Sequence, residues 1–467
     1  MFINGQEVYC DDVIKVMNPA TNEEIATVPN GGAKEAREAV DAAHAALPAW
    51  SKKTAAERSQ LLRKWFDLIN EHKDELAEIM TKEQGKPFKE AQGEIVYANS
   101  FIEWYAEEAK RVYGDTIPAS DPKKRIIVLK QPVGVIAAIT PWNFPAAMIT
   151  RKVAPALAAG CTAVIKPAKL TPLTAVRLVE LAYEAGIDGG AINLVTGDSG
   201  AISDAWMEDE RVRKLSFTGS TEVGKQLMKN SADTMKKISL ELGGQAPFIV
   251  MDDANLKAAA EAVTASKFRN AGQTCVCTNR VYVHEDVYED FSKEFVAEVK
   301  KLKVGNGMDD GVTIGPLIND DAVSKVKKHL DDALGKGAEL LTEGPEQEGL
   351  FMQPMVLGKA DDSMLCMTEE TFGPLAPIAT FKTKEEAIKR ANDTPFGLAA
   401  YVFTQDVTQA VEIAEGLEYG IVGLNDGLPS VAQAPFGGMK ESGIGREGGK
   451  YGMEEFMEIK YVSLKLT

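Results

Sequence analysis

KLSFTGSTEVG, residues 214–224, reads as a strand, a tight turn at Gly219 and the first turn of a helix. Ser220 and Thr221 are residue types that cap helix N-termini, and Glu222 puts a negative charge in the first turn. Such a turn presents backbone N–H groups to a phosphate. The G-x-G-x-x-G pattern is missing, however, and many strand–glycine–helix turns are purely structural. Taken alone, the segment predicts a strand and a helix and leaves a pyrophosphate site open.

The same alternation continues on both sides of this unit. Short apolar runs cover residues 133–140, 162–165 and 191–195 before it and 248–250, 280–283, 376–381 and 399–403 after it. Helix-length amphipathic segments separate them, which indicates parallel, doubly wound α/β sheets. The block after Pro247 predicts a second α/β domain. Residues 33–80 and 94–111 repeat apolar side chains every three or four positions, so an α-rich N-terminal layer is expected.

Two further segments alternate in the manner of strands but have no place in either block. They are residues 125–130 and 457–466. We expect them to form an arm used for oligomerisation.

Size and charge narrow the class of protein. A chain of 467 residues suggests about three units, and its 45% hydrophobic and 26% charged residues are typical of globular proteins. The net charge of −17 argues against nucleic acid and anionic membranes as partners. Neither a basic leader nor a long apolar run is seen, so a cytoplasmic protein is expected.

The cysteine and histidine content bears on redox and metal chemistry. Five scattered cysteines favour thiol chemistry in a reducing compartment over a disulfide framework. The four histidines lack metal-ligand spacing, so no metal is expected.

Polar side chains follow several predicted strands. Asn143 follows residues 133–140, Lys166 and Lys169 follow 162–165, and Glu241 follows 237–240. Open α/β sheets bind ligands at this edge, where an amide can donate to an oxyanion, two ammonium groups suit a phosphate and a buried carboxylate can serve as a base. Each residue is also consistent with an ordinary solvated turn.

Cys275 lies in FRNAGQTCVC, residues 268–277. Its polar loop favours a reactive thiol, whereas a small buried hydrophobe better describes Cys161 and Cys366. Cys277 is open to both a structural role and a role as redox partner of Cys275.

Seven motifs together resemble the aldehyde dehydrogenase superfamily in order and spacing. They are PWNFP (141–145), KPA (166–168), FTGSTEVG (217–224), ELGG (241–244), GQTC (272–275), EETFGP (369–374) and PFGGMKESGIGRE (435–447). The resemblance covers nearly the whole chain. It implies a Rossmann-like cofactor domain (1–115 and 132–243), an α/β catalytic domain (244–446) and an arm (116–131 and 447–467). A homodimer or homotetramer is implied as well.

The resemblance also implies a mechanism. The residue matching Cys275 attacks an aldehyde, and the Asn143 amide and the Cys275 backbone N–H hold the oxyanion. Hydride then leaves to a nicotinamide. The residue matching Glu241 activates the water that hydrolyses the thioester.

The cofactor contacts carry over residue by residue. Lys166 matches a contact to the adenosine ribose, Ser220 a pyrophosphate ligand and Glu370 a contact to the nicotinamide ribose. The expected set is completed by Trp142, Gly219, Leu242 and Phe372. Many NAD-preferring relatives have Glu where this chain has Lys169, whose ammonium attracts a 2′-phosphate. NADP is therefore the expected cofactor, with NAD as a possible second.

Within the family the closest resemblance is to succinate-semialdehyde dehydrogenases, through MITRK (148–152), SKFRNAGQTCVC (266–277) and NDGLPS (425–430). Arg151, Arg269 and Ser430 match the groups that hold the distal carboxylate of the substrate, which suits arginine chemistry. The expected reaction is oxidation of succinate semialdehyde to succinate, with GABA degradation as its setting. Because Asp426 and Pro429 depart from the subfamily loop, glutarate semialdehyde is an alternative.

Other readings stay open at this point. An enzyme for glyceraldehyde 3-phosphate would direct the two arginines at a phosphate, and a catalytically silent relative would act as a binding protein. A cysteine hydrolase needs an imidazole base, and only His284 lies near in sequence. Some subfamily members close a Cys-x-Cys disulfide on the nucleophile, which makes Cys277 a redox-switch candidate with redox regulation as its consequence.

Overall fold

The computed structural model describes residues 1–344 and 347–467, which fold around two large sheets. Up to residue 241 the strands are β1 (Phe2–Ile3), β2 (Gln6–Glu7), β3 (Val13–Asn18), β4 (Glu23–Pro29), β5 (Asp115–Ile117), β6 (Lys124–Pro132), β7 (Val135–Ile139), β8 (Thr162–Lys166), β9 (Ile192–Leu194), β10 (Val212–Thr218) and β11 (Lys237–Glu241). The later strands are β12 (Ala246–Val250), β13 (Thr278–His284), β14 (Glu339–Leu340), β15 (Gln347–Glu348), β16 (Phe351–Met352), β17 (Met355–Gly358), β18 (Leu375–Phe381), β19 (Phe396–Gly397), β20 (Ala399–Phe403), β21 (Ile421–Leu424), β22 (Met439–Lys440), β23 (Gly443–Ile444) and β24 (Met457–Lys465).

Helices connect and cover these strands. The first eight are α1 (Ala33–Lys52), α2 (Ala55–Glu71), α3 (Lys73–Gln84), α4 (Phe88–Glu108), α5 (Ala147–Ala159), α6 (Leu173–Glu184), α7 (Ser199–Glu208) and α8 (Thr221–Ser231). The others are α9 (Leu256–Phe268), α10 (Tyr288–Val299), α11 (Asp320–Gly335), α12 (Leu365–Thr368), α13 (Lys384–Asn392), α14 (Val407–Gly416) and α15 (Gly449–Glu454).

The first sheet has eight strands in the order β2-β1-β9-β8-β7-β10-β11-β23. Strands β7 to β11 run parallel, and helices cover both of their faces. Alternate side chains of β7 enter different cores: Ile136 packs in the cluster that contains α4 and α5, and Val135 packs with α1 and α7. This explains why the strand reads as a continuous apolar run.

The second sheet has the order β14-β17-β18-β13-β12-β20-β21, and all of its strands except β14 run parallel to their neighbours. The chain then returns to the first sheet. Strand β23 pairs antiparallel with β11, with Gly443 opposite Glu241. Residues 435–447 are thereby brought to the end of β11.

The third feature is a three-stranded arm in the order β24-β6-β5. Its long strands pair from Met457 opposite Pro132 to Lys465 opposite Lys124. Apolar side chains on β24 face solvent in the single chain, with Ile459 74% and Tyr461 62% exposed.

The two α/β sheets, the N-terminal helices and the paired strands of the arm confirm the fold expected from the sequence. The β3–β4 hairpin and the short strands β17 and β21 were not predicted, because four-residue runs such as MVLG and IVGL carry little periodicity. The exact domain limits stay a prediction, and β23 joins the first sheet from the range given to the second domain. In the part of the chain that the structure describes, no helix is long and apolar enough to cross a bilayer.

Candidate active site

A cavity of about 330 Å³ lies where the first sheet meets the segment that carries Cys275. Of the residues singled out in the sequence, the cavity is lined by Trp142, Asn143, Gly219, Ser220, Leu242, Cys275, Glu370 and Phe372. Its size is in the range of small-molecule sites. Residues from five distant motifs therefore meet at one place.

Cys275 is held by a tightly wound backbone segment. Asn270, Ala271 and Gly272 all have positive φ, at 52°, 55° and 76°, and a Cβ on Gly272 would lie 2.3 Å from the carbonyl oxygen of Gly373. Burial raises the pKa of the Cys275 thiol to about 12, against the opposing charge of Arg151. The thiol of the free protein is therefore protonated at neutral pH.

Asn143 lies beside this segment. Strand β7 ends at Ile139, and the loop before α5 places the buried Asn143 so that its Nδ2 donates to the carbonyl oxygen of Gln273, 3.0 Å away. Gln273 is two residues before Cys275. The amide thus has its donor group near Cys275, as an oxyanion ligand requires.

Glu241 ends β11 and is 3% exposed. No donor in the described residues reaches its Oε2 atom. Burial raises the pKa of Glu241 well above its usual value, and the negative charge of Glu447 adds to the effect. A carboxyl with a raised pKa and a free oxygen is suited to take a proton near neutral pH.

A buried cluster around Glu447 faces Glu241 and was not found from the sequence. Lys152 Nζ contacts Glu447 Oε1 and donates to Thr218 Oγ1 at 2.6 Å, and Arg151 Nη2 lies 2.7 Å from Glu447 Oε2. Burial opposes ionisation of Glu447, but the two cations hold its pKa below the usual value. Lys152 and Glu447 are 295 positions apart, so no local pattern predicts their contact. The only sequence signal for them is that each lies in a motif, MITRK and GIGRE.

The turn after β10 can accept a pyrophosphate. Ser220 caps α8 by accepting from the backbone N–H of Val223 at 3.4 Å. A Cβ on Gly219 would lie 2.4 Å from the ring of Phe217, so only glycine leaves this turn unstrained. Free N–H groups at a helix N-terminus fit the anion of a dinucleotide.

The other side of the cavity is formed by the segment that follows α12. Trp142 and Phe372 contact edge to face with ring centroids 5.7 Å apart. Glu370 Oε1 accepts from the backbone N–H of Gly244 at 3.0 Å, and burial raises the pKa of Glu370 to about 7. An acidic group beside two aromatic rings suits a ribose with its attached nicotinamide.

Lys166 ends β8, the neighbour of β7, and Lys169 follows it, but neither lysine lines this cavity. Lys166 is buried, and burial together with Lys169 lowers its pKa to about 8. The side chain of Lys169 is 40% exposed, and its Nζ lies 3.4 Å from Asp198 Oδ2. The lysines form a cationic edge beyond the cavity.

The three residues expected to hold a distal carboxylate are only partly brought together. Arg269 and Ser430 line a small cavity that also borders Val276, the neighbour of Cys275. Arg151 is fully buried in its pair with Glu447, and its guanidinium stacks on Phe436 with 3.9 Å to the ring centroid. Cys277 is buried, and its Sγ donates to the carbonyl of Gly272 at 3.3 Å. Over residues 1–344 and 347–467, no cluster of acidic, histidine and cysteine side chains could hold a metal ion.

Known proteins are similar to this chain in both sequence and fold. The model of the aldehyde dehydrogenase family matches residues 7–462. The chain is 56% identical to the glutarate-semialdehyde dehydrogenase of Pseudomonas putida, over 100% of this chain and 97% of that protein. It is also 56% identical to the NADP(+) succinate-semialdehyde dehydrogenase of Escherichia coli K12, over 99% and 97%. A crystal structure of aldehyde dehydrogenase from Brucella melitensis biovar abortus 2308 superposes with a TM-score of 0.99 at 57% identity, covering 100% of this chain and 97% of the other.

Proposed function

The chain belongs to the aldehyde dehydrogenase family, and on that premise we propose that it oxidises succinate semialdehyde to succinate with NADP. Enzymes of this family use NAD(P) and an aldehyde. The relatives above are named for succinate semialdehyde and glutarate semialdehyde, which are both aldehydes with a distal carboxylate. The observation that carries the substrate proposal is the small cavity that Arg269 and Ser430 share with Val276.

The proposed reaction begins at the thiol. The Cys275 thiol gives its proton to water as Sγ bonds to the aldehyde carbon, and the Asn143 amide and the Cys275 backbone N–H donate to the oxyanion that forms. When bound, the nicotinamide supplies the acceptor for the hydride that leaves this carbon, and a thioester remains. Glu241 then takes a proton from the water that attacks the thioester carbonyl. The C–S bond breaks and the proton held by Glu241 passes to the leaving sulfur, which releases succinate and restores the thiol.

The dinucleotide would be held by groups already in place. Ser220 and the turn at Gly219 would hold its pyrophosphate, Glu370 its nicotinamide ribose, and Lys166 its adenosine ribose. Trp142, Leu242 and Phe372 line the same cavity. The preference for NADP rests on Lys169, whose ammonium favours a 2′-phosphate over the hydroxyl of NAD.

The arm supports a proposal about assembly. An edge strand with exposed apolar side chains such as Ile459 and Tyr461 is a ready interface for a second copy. We propose a homodimer or homotetramer. Cytoplasmic location and a place in GABA degradation are proposed on the relatives and the substrate alone.

Cys277 supports a proposal about regulation. Oxidation by a peroxide would join its sulfur to Cys275 Sγ, remove both thiol protons and silence the nucleophile. A ring closed over a single intervening residue is strained and readily reduced. Activity lost to hydrogen peroxide should therefore return with dithiothreitol. If it does not return, the switch is wrong.

The substrate proposal is tested by initial rates with succinate semialdehyde, glutarate semialdehyde and propanal, each with NADP and with NAD. We expect succinate semialdehyde with NADP to have the highest kcat/KM. A better rate with glutarate semialdehyde would move the assignment to the longer substrate. Equal rates with propanal would remove the role of Arg269 and Ser430 and leave only the family chemistry.

A further inference from the structure

A buried ion pair lies directly behind the loop that carries Asn143. The side chains of Lys86, after α3, and Glu94, in α4, are each 1% exposed, and Lys86 Nζ contacts Glu94 Oε2. Lys86 Nζ also donates to the backbone carbonyl of Asn143 at 2.8 Å. The ammonium thus holds the peptide unit whose side chain is the proposed oxyanion donor.

The other oxygen of Glu94 holds the same loop three residues later. Glu94 Oε1 accepts from the backbone N–H groups of Ala146 at 3.0 Å and Ala147 at 3.3 Å. These groups begin α5, which has no cap from a side chain of its own N-cap residue. One ion pair therefore forms hydrogen bonds with the loop at Asn143 and again at the start of α5.

The support extends to the segment that carries the nucleophile. The carbonyl of Asn143 also accepts from Asn270 Nδ2 at 3.1 Å, and Asn270 Oδ1 accepts from Gln84 Nε2 at 2.9 Å. Asn270 is one of the residues with positive φ before Cys275. One hydrogen-bond network, which includes Gln84 at the end of α3 and Glu94 in α4, thus contacts both the loop of Asn143 and the segment before Cys275.

Stability alone does not explain such a pair. Removing two charges from water costs several kcal/mol per ion. A protein in which apolar side chains of similar volume replace such a pair is often equally stable. Burial lowers the pKa of the Lys86 ammonium, and the charge of Glu94 opposes this. Unlike an apolar contact, the pair makes directional hydrogen bonds. The ammonium donates to one backbone group of the Asn143 loop, and the carboxylate accepts from others.

We propose that Lys86 and Glu94 are positioning residues that hold the Asn143 amide where it donates to the oxyanion at Cys275. The inference rests on the role of Asn143 in the proposed function. A displacement of about 1 Å at such a donor reduces a rate by up to about 10²-fold. The effect should appear in kcat and leave the KM for the aldehyde unchanged.

The test uses the variant Lys86→Met/Glu94→Gln, which buries no lone charge and keeps an amide oxygen for the N–H groups of α5. We expect kcat to fall about 10- to 100-fold, with KM within about twofold and the melting temperature within a few degrees. Lys86→Arg keeps the charge and the donors and should recover most of kcat. Lys86→Met alone is the second variant, and it is compared at equal folded fraction by circular dichroism.

A matched control comes from the buried Lys214, whose Nζ lies 3.2 Å from Glu455 Oε2. Lys214→Met/Glu455→Gln removes a pair in which Lys214, in β10, is buried and Glu455 is 28% exposed, and it should leave kcat within about threefold. If this control lowers kcat as much as the Lys86 variant does, the loss is a general effect of buried pairs and the inference is wrong.

A double-mutant cycle with Asn143→Ala separates the inference from the proposed function. Asn143→Ala alone should lower kcat about 10²- to 10³-fold. In that background, the Lys86/Glu94 changes should add less than about threefold, because they act through the lost amide. If the kcat losses of the Asn143 and Lys86/Glu94 changes are fully additive, or if the Lys86/Glu94 variant has wild-type kcat, the positioning role is wrong and the proposed function is unaffected. A wild-type rate for Asn143→Ala overturns the oxyanion role itself.

Discussion

Arg269 is the residue on which the proposed choice of substrate depends most directly. It borders the small cavity next to Cys275 together with Ser430, whereas Arg151 is already paired with Glu447. None of the described residues that line that cavity is a carboxylate, whereas on its other side Arg269 borders Glu90 and Glu94. The structure therefore favours Arg269 over Arg151 as the main contact for a distal carboxylate.

Arg269→Met should lower kcat/KM for succinate semialdehyde about tenfold to a hundredfold, the usual value of one charge-assisted hydrogen bond. The rate with propanal should stay within about twofold, because propanal has no carboxylate. Initial rates with both aldehydes measure this. Arg211→Met, at a partly buried pair with Asp209 outside both cavities, is the control and should change neither rate. Equal losses with the two aldehydes would remove Arg269 from substrate binding.

The thiol of Cys275 gives a prediction on pH. Burial raises its pKa to about 12, so the thiolate fraction of the free protein increases about tenfold per pH unit between pH 7 and pH 9. The rate of alkylation by iodoacetamide should rise with the same slope. Measuring it in a Cys277→Ser variant keeps the second thiol out of the signal. A rate that levels off below pH 8 would show a much lower pKa than burial gives.

At the scale of elements, the sequence was informative wherever a polar residue directly follows an apolar run. Asn143 after β7, Lys166 after β8 and Glu241 at the end of β11 were found in this way. Parallel strands end at one edge, so local patterns predict which side chains meet there.

The supporting residues could not be predicted by the same means. Lys86 lies between α3 and α4 and Glu94 lies in α4, both far from β7 in sequence, and Glu447 is brought near only because β23 returns to β11. Their burial depends on long-range packing, which periodicity does not contain. Arg151 likewise looked like a free substrate ligand, since nothing in its own segment indicates the pair with Glu447.

The end of β8 gives a prediction on the cofactor. Lys169→Glu should reverse the preference, lowering kcat/KM with NADP at least about tenfold while that with NAD stays equal or rises, because a carboxylate repels the 2′-phosphate. Steady-state rates with the two cofactors measure the ratio. Lys257→Glu, an exposed lysine on α9, is the control for net charge. An unchanged ratio would mean that Lys169 does not face the 2′ position.

At the scale of the whole molecule, the active-site cavity depends on both sheets and the arm lies outside them. Ile459→Lys/Tyr461→Lys places two charges on the exposed side chains of β24, where a second copy would pack. Sedimentation velocity should show a smaller assembly than wild type. Val407→Lys changes an equally exposed apolar residue outside the arm and should not alter the assembly. If the double variant sediments as wild type does, the interface is elsewhere.

The thioester on Cys275 and the role of Glu241 are tested most directly by intact-protein mass spectrometry of the Glu241→Gln variant mixed with succinate semialdehyde and NADP. Cys275 should still be acylated, and the thioester should persist because no carboxylate activates water. A mass gain of one succinyl group is expected on the intact protein and, after digestion, on the peptide that contains Cys275; it should depend on NADP and be lost in Glu241→Gln/Cys275→Ala. A succinyl group on another residue, or none on Cys275 while substrate is consumed, would contradict this mechanism.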